Sequence, residues 1–338
     1  MTVRSRLESR RFIFRRPAKA REVGFTLVEL MIALLLGLVV IAGVISVFLS
    51  NQQVYRSNEA LSNVQDSSRL AFEMLARDIR AAGLNGCGNS GRLSNVLNNG
   101  PNKSATPAWW ATVNNPMVGY DSTQTDPAAG TNRVAGTDSI ILLGAEGTGN
   151  SLKVDAEPAA NFTINESSTD IKANDVVVVC DPDHAAVVQI TAVAGSVLSH
   201  AASGTPGNCT TDLSYPSVCS SSSSYVFAPN ALISKLSVSS WYIGTNGIGG
   251  KSLFHQTVSL GTVQIPDEMV RDVTGMQILY HQSGDTDFKA ADSITNWPIV
   301  DAVQITLTTE SVDKRAGVNA KPVSRSFTST TTLRNRVS

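Results

Sequence analysis

Gly24-Phe25-Thr26-Leu27-Val28-Glu29-Leu30-Met31-Ile32-Ala33 opens a run that continues without a further charge or a proline to Leu49. From Phe25 the run is 25 residues long, and Glu29 is its one charged side chain. About 20 apolar residues let a helix cross the hydrocarbon of a bilayer, so the run predicts a transmembrane helix. A secretory signal does not account for it, because such a signal has an apolar region of about 7 to 15 residues that closes on a small-residue cut. Ser9-Arg10-Arg11-Phe12-Ile13 has the outline of a twin-arginine signal, but the run behind it is too strongly membrane-seeking. Glu29 is what a simple anchor lacks. A carboxylate in the apolar zone costs about 2.5–3.5 kcal/mol on insertion scales, which marks it as functional and in need of a partner.

On the N-terminal side, residues 1 to 24 hold Arg4, Arg6, Arg10, Arg11, Arg15, Arg16, Lys19 and Arg21 against Glu8 and Glu22, a charge of +6. The rest of the chain keeps 19 basic and 26 acidic residues, a charge of −7. A basic flank marks the cytoplasmic side of a membrane segment. An acidic body excludes a nucleic-acid partner, which needs a basic face to displace counterions from phosphates.

On the C-terminal side the helical period outlasts the apolar run. Val54, Leu61, Val64, Phe72, Leu75, Ile79 and Ala82 form one stripe with polar residues between them, interrupted at Ser68. Gly83, Gly86 and Gly88 then predict the helix end. A helix over residues 25–82 would be about 87 Å long at 1.5 Å per residue; residues 25–49 are suited to lipid and residues 50–83 to packing on a globular head.

Residues 84–135, rich in Asn, Gly, Pro and Ser, predict a long loop region in which Trp109-Trp110 is the packed anchor. Beyond them the head, residues 84–338, is expected to be β-rich. Strands are predicted at Ser139–Leu143, Asp175–Cys180, Ala185–Val193, Ala231–Ile243, Ser252–Val258, Thr274–His281, Ile299–Thr309 and Val323–Leu333, runs of β-branched and aromatic residues bounded by turn formers. Val303, Ile305 and Leu307 alternate with Gln304, Thr306 and Thr308, as a strand with one buried face requires. No helices separate these strands, so the fold class is α+β, with a long N-terminal helix on a mainly antiparallel sheet.

Cys87, Cys180, Cys209 and Cys219 all follow the membrane segment, where disulfides are permitted if the basic flank stays inside. Four cysteines allow three connectivities. Nearness in sequence favours Cys209 with Cys219 and leaves Cys87 with Cys180, tying the helix end to a strand.

The stretch from Gly24 to Ala33 resembles the N-terminal motif of type IV prepilins and type II secretion pseudopilins: a glycine before the cut, an apolar residue after it and a glutamate five residues into the mature chain. The resemblance implies that a prepilin peptidase cleaves between Gly24 and Phe25, removes the leader and methylates the Phe25 amine. It also implies that Glu29 recruits the N-terminal amine of a neighbouring subunit during assembly. Arg77-Asp78-Ile79-Arg80-Ala81-Ala82-Gly83, Gln277-Ile278-Leu279-Tyr280 and the stretch from Ser326-Phe327-Thr328 to Leu333-Arg334-Asn335 resemble the PilW group of minor pilins. That group is implied to prime pilus assembly from the inner membrane, with the head in the periplasm and later at the pilus tip. Its implied partners are other minor pilins, the major pilin and a PilY-type adhesin. Unlike major pilins, this run has no helix-breaking proline, only Gly37 and Gly43. The alternatives are a minor pseudopilin of a type II secretion system and a membrane-anchored adhesin or enzyme that never polymerises.

Other signals read as structure. Gly86-Cys87-Gly88-Asn89-Ser90-Gly91 fits G-x-G-x-x-G but follows a helix instead of a strand, so it predicts no nucleotide site. His184, His200, His255 and His281 lack metal-ligand spacing and are expected on strands or the surface. Asp181-Pro182-Asp183 and Asp285-Thr286-Asp287 are expected as solvated turns in preference to Ca²⁺ sites. No catalytic residue, cofactor or metal is predicted, and the chain reads as structural, not enzymatic.

Overall fold

The computed structural model describes residues 24–83, 92–220 and 225–333. The chain divides into two units, Met1–Tyr55 and Arg56–Ser338.

A single helix, α1 (Leu27–Ala81), contributes to both units, starting two residues later and ending one earlier than the sequence predicts. Its beginning is set by Thr26 and Glu29. The Glu29 backbone N–H donates to Thr26 Oγ1 at 3.2 Å, and the Thr26 N–H donates to Glu29 Oε2 at 3.2 Å, a reciprocal capping box. Its end is set by Gly83, whose φ of +75° is the left-handed conformation that glycine adopts freely. The Gly83 N–H donates to the Leu143 carbonyl at 2.8 Å. In the first unit the large apolar side chains from Leu27 to Leu49 are exposed, and the helix is long and apolar enough to cross a membrane.

In the second unit Ala60, Val64, Ser68, Ala71, Leu75 and Ile79 are buried, at steps of three and four residues. Leu61 and Phe72 flank this stripe and are only partly buried, while Val54 is exposed. Ser68, which interrupts the predicted stripe, belongs to it: its hydroxyl lies 2.8 Å from the Val64 carbonyl and 2.8 Å from Thr309 Oγ1. A buried hydroxyl satisfied by its own preceding turn is compatible with an apolar seam.

The head contains β1 (Leu93–Asn95), β2 (Met117–Tyr120), β3 (Ser139–Ala156), β4 (Asn161–Ile164), β5 (Val176–Cys180), β6 (Ala185–Gln189), β7 (Ala192–Ala194), β8 (Val197–Ser199), β9 (Leu232–Thr245), β10 (Lys251–Ser259), β11 (Thr262–Val263), β12 (Asp267–Arg271), β13 (Val273–Gln282), β14 (Val300–Glu310) and β15 (Ser324–Thr332). The larger sheet runs β1-β6-β5-β9-β3-β4-β8-β7, with β2 also on β3, β10 also on β9, and β11 and β12 on β10. The smaller runs β13-β14-β15. Among the described residues β1 and β6 are parallel and the other strand pairs antiparallel.

Residues 92–135, the described part of the predicted loop region, are more ordered than their composition predicts. They contribute β1, β2 and two 3-10 turns, and Trp110 is buried with Trp109 partly so. Strands of three and four residues carry too little periodicity to be read from sequence.

The main core lies between α1 and both sheets. Ala71, Leu75 and Ile79 meet Ile140, Leu142 and Trp241 of the larger sheet, with Met276, Ile278, Tyr280, Val303, Ile305 and Leu307 of the smaller. The predicted alternation in β14 holds, with Val303, Ile305 and Leu307 buried and the residues between them only partly buried. Asp78 fixes the helix rotation over β9 and β10. Its Oδ2 accepts from Trp241 Nε1 at 2.9 Å and lies 3.3 Å from His255 Nε2. Burial pushes this carboxyl up, but those donors outweigh it and hold it below its ordinary range. Every residue of β5 and β6 is buried, because separate apolar clusters cover the two faces.

Cys209 and Cys219 are joined, with Cα atoms 5.2 Å apart. Cys180 is also disulfide-bonded; Cys87, its expected partner, lies outside the described residues. Residues 86–91, the glycine-rich stretch, lie outside them as well.

His281 offers a pH test of the smaller sheet. Its Nδ1 lies 2.6 Å from Asp301 Oδ1 and its Nε2 3.0 Å from the Asp285 carbonyl. Donating to both oxygens needs two N–H groups, hence the imidazolium. The Asp301 hydrogen bond raises the pKa above its ordinary 6.5. This stabilisation is complete below the unfolded value and disappears as pH rises through the higher folded value. The denaturant midpoint of the wild-type protein should therefore fall as pH rises above about 6.5, and His281→Gln should remove that part of the slope. An identical slope in the variant refutes the assignment.

Candidate functional site

Gly24, Phe25 and Thr26 precede the first helical turn without regular structure and are exposed, Phe25 by 85%. The Gly24–Phe25 bond thus lies in non-helical backbone, the form that a peptidase can grip. A Cβ built on Gly24 meets nothing within 4 Å. Among the described residues, the fold does not require glycine there. Gly37 and Gly43 likewise have open space around them, although glycine inside a helix costs about 1 kcal/mol against alanine.

Glu29 is exposed on the first turn of α1, and Thr26 engages it on three sides. Besides the two capping bonds, Thr26 Oγ1 donates to Glu29 Oε2 at 3.1 Å. These bonds occupy Oε2, and a negative charge at a helix N-terminus is favoured by the macrodipole. The sequence reading found the glutamate and missed its threonine partner, although T-x-x-E before an apolar run is the capping-box signature.

The other singled-out residues are structural. His184 is buried, its Nε2 3.1 Å from the Leu213 carbonyl and its ring against Tyr225. His255 stacks on Trp241 with ring centroids 4.2 Å apart. The expectation of strand or surface positions fails most clearly for His200, which is wholly buried just beyond β8. Asp181 Oδ1 accepts from the N–H groups of Asp183 and His184 at 2.9 and 3.0 Å, and its Oδ2 accepts from the Tyr225 hydroxyl at 2.7 Å. Asp183 meets Arg92 at 2.7 Å, and Asp285 meets Lys289 at 2.8 Å. Both acidic turns are engaged by the chain itself.

A family model described as the prokaryotic N-terminal methylation motif matches residues 21–45. No curated protein and no solved structure matches the chain. The match covers the expected cleavage bond, Phe25, Glu29 and most of the apolar run, and supports a type IV pilin-like or pseudopilin protein. This motif is a prepilin-peptidase substrate signal, implying processing and assembly, and together with the apolar helix it suggests a membrane-anchored protein with a head.

Proposed function

We propose that this chain is a minor pilin that primes type IV pilus assembly and sits at the pilus tip. Glu29 carries the reading: an exposed carboxylate at the start of an apolar membrane helix, five residues past a bond that lies in exposed, non-helical backbone. Cleavage after Gly24 creates an amine on Phe25, and methylation leaves it cationic. The carboxylate of one subunit and the amine of the next then neutralise each other in the apolar zone and set the axial register of the helices.

The minor-pilin role draws on the head. The three stretches that resemble the PilW group are far apart in sequence, yet Ile79, Ile278, Tyr280 and Leu333 share one core. A resemblance confined to a single packed unit is what a common helix-docking architecture produces. In this reading the head is carried through the inner membrane into the periplasm and exposed with the other minor pilins, the major pilin and a PilY-type adhesin.

N-terminal sequencing of the membrane-extracted protein should begin at N-methylated Phe25. A mature start at Met1, or a cut beyond Leu49, overturns the processing step. Deleting the gene should reduce pilus number, with recovery from a plasmid copy. Unchanged piliation together with defective secretion of folded proteins would instead assign the chain to a type II secretion pseudopilus.

A further inference from the structure

The end of β3 and the end of β8 bring together three residues that no sequence motif joins. Asp155 pairs across the β3–β4 ladder with Phe162, and Asn161 pairs with both Ala156 and Ser199. Glu157 therefore begins the turn out of β3, and His200 follows β8 on the far side of β4. The His200 backbone N–H donates to the Ala160 carbonyl at 2.9 Å, holding its strand end against that turn. Its ring stacks on Phe162, with centroids 4.2 Å apart.

One donor atom from each of Asp155, Glu157 and His200 lies within 4.8 Å of the other two. The side chains of His200 and Glu157 are 0% and 1% exposed, and His200 Nε2 is 3.0 Å from Glu157 Oε1. That approach is close but not aligned as a hydrogen bond. Asp155 Oδ2 accepts from the Phe227 N–H at 2.8 Å. Asp155 Oδ1, both Glu157 oxygens and both His200 ring nitrogens are buried without a hydrogen-bond partner. Each such atom costs about 1–3 kcal/mol when left unsatisfied, and the cluster has five.

We propose that Asp155, Glu157 and His200 form a buried structural site for one Zn²⁺ ion. Imidazole nitrogen with carboxylate oxygens suits zinc and its neighbours, whereas Ca²⁺ takes six to eight oxygens. The turn and the strand end must close by roughly 1 Å to reach tetrahedral ligand spacing around bonds of about 2.0–2.2 Å. The second Glu157 oxygen or a water completes the shell. Such an ion pins the β3–β4 turn to the end of β8, adding a cross-link where the sheet has short strands.

The test uses the full chain in detergent, stripped with a chelator, desalted and dialysed against ZnCl₂. One zinc per chain should be retained by elemental analysis, with a higher unfolding temperature than the stripped form. Glu157→Gln and His200→Gln should each weaken zinc binding at least tenfold, while His184→Gln leaves it unchanged. Co²⁺ bound to the unaltered protein should give the intense visible bands of a tetrahedral site, a readout that does not depend on a variant folding. No retained metal, equal retention by Glu157→Gln, or an equal thermal shift with CaCl₂ overturns the proposal.

Discussion

Glu29→Ala should be cleaved and retained in the membrane, yet be absent from sheared fibres and unable to restore piliation in a strain lacking the native copy. The substitution removes a group that costs about 2.5–3.5 kcal/mol in the apolar zone, so insertion becomes easier. It also removes one half of the capping box, a loss of about 0.5–2 kcal/mol confined to the first turn. A 55-residue helix survives that loss. Failure to assemble then reports a missing partner, not a missing helix.

Two further variants separate capping from charge. A capping box accepts Gln in place of Glu, so Glu29→Gln keeps the helix start and loses the charge. Thr26→Ala removes the side-chain acceptor that the Glu29 N–H uses and leaves the carboxylate. If neutralisation of a neighbouring amine drives assembly, Glu29→Gln is excluded from fibres like the alanine variant, and Thr26→Ala is incorporated. If Glu29 serves only its own helix, Glu29→Gln assembles normally. Full piliation with Glu29→Ala overturns the assembly role altogether.

The long helix was legible because two strong signals met in it: an apolar run long enough for a bilayer and a three-to-four-residue period beyond it. The major strands were legible because β-branched residues recur in them at the period of the pleat. Their ends were less so. β3 continues from Leu143 to Ala156 through Gly144, Gly147 and Gly149, residues that read as a turn. Position in the sheet overrides that propensity, because β9 pairs with β3 as far as Ser151 and β4 pairs with it from Leu152 to Ala156. Ser68 was misread for a similar reason, since hydropathy alone cannot reveal that the Val64 carbonyl and Thr309 lie within its reach.

Asp155, Glu157 and His200 illustrate the limit of spacing arguments. Metal motifs are recognised when their ligands share a helix turn or a knuckle. Here more than 40 residues separate His200 from the carboxylates, and only the β3–β4–β8 register brings them together. The same holds for Asp78, whose partners Trp241 and His255 face each other across the β9–β10 pair. Local sequence marks such residues as polar surface, and pairing of distant strands decides otherwise.

Leu75→Ala and Leu36→Ala should separate the two functions of the one helix. Both residues are leucines in α1, and local propensity treats them alike. Leu75 is 0% exposed in the main core, whereas Leu36 is 58% exposed within the apolar run. Truncating a fully buried leucine loses its transfer free energy and leaves a cavity, a cost of about 2–5 kcal/mol that depends on how far the site collapses. Around Leu75 collapse is resisted by two sheets already held by their own ladders, so the cost should fall in the upper half of that range. Against a domain stability of about 5–15 kcal/mol, it removes a large share. Leu36 belongs to the first unit, Met1–Tyr55, so Leu36→Ala should leave the denaturant midpoint of the head unchanged. The measurement is denaturant unfolding of both full-length variants in the same detergent, followed by near-ultraviolet circular dichroism of the buried Trp110 and Trp241. Equal midpoints for the two variants would mean that residues 56–81 add no packing energy to the head, and the helix would then be a tether instead of the spine of its core.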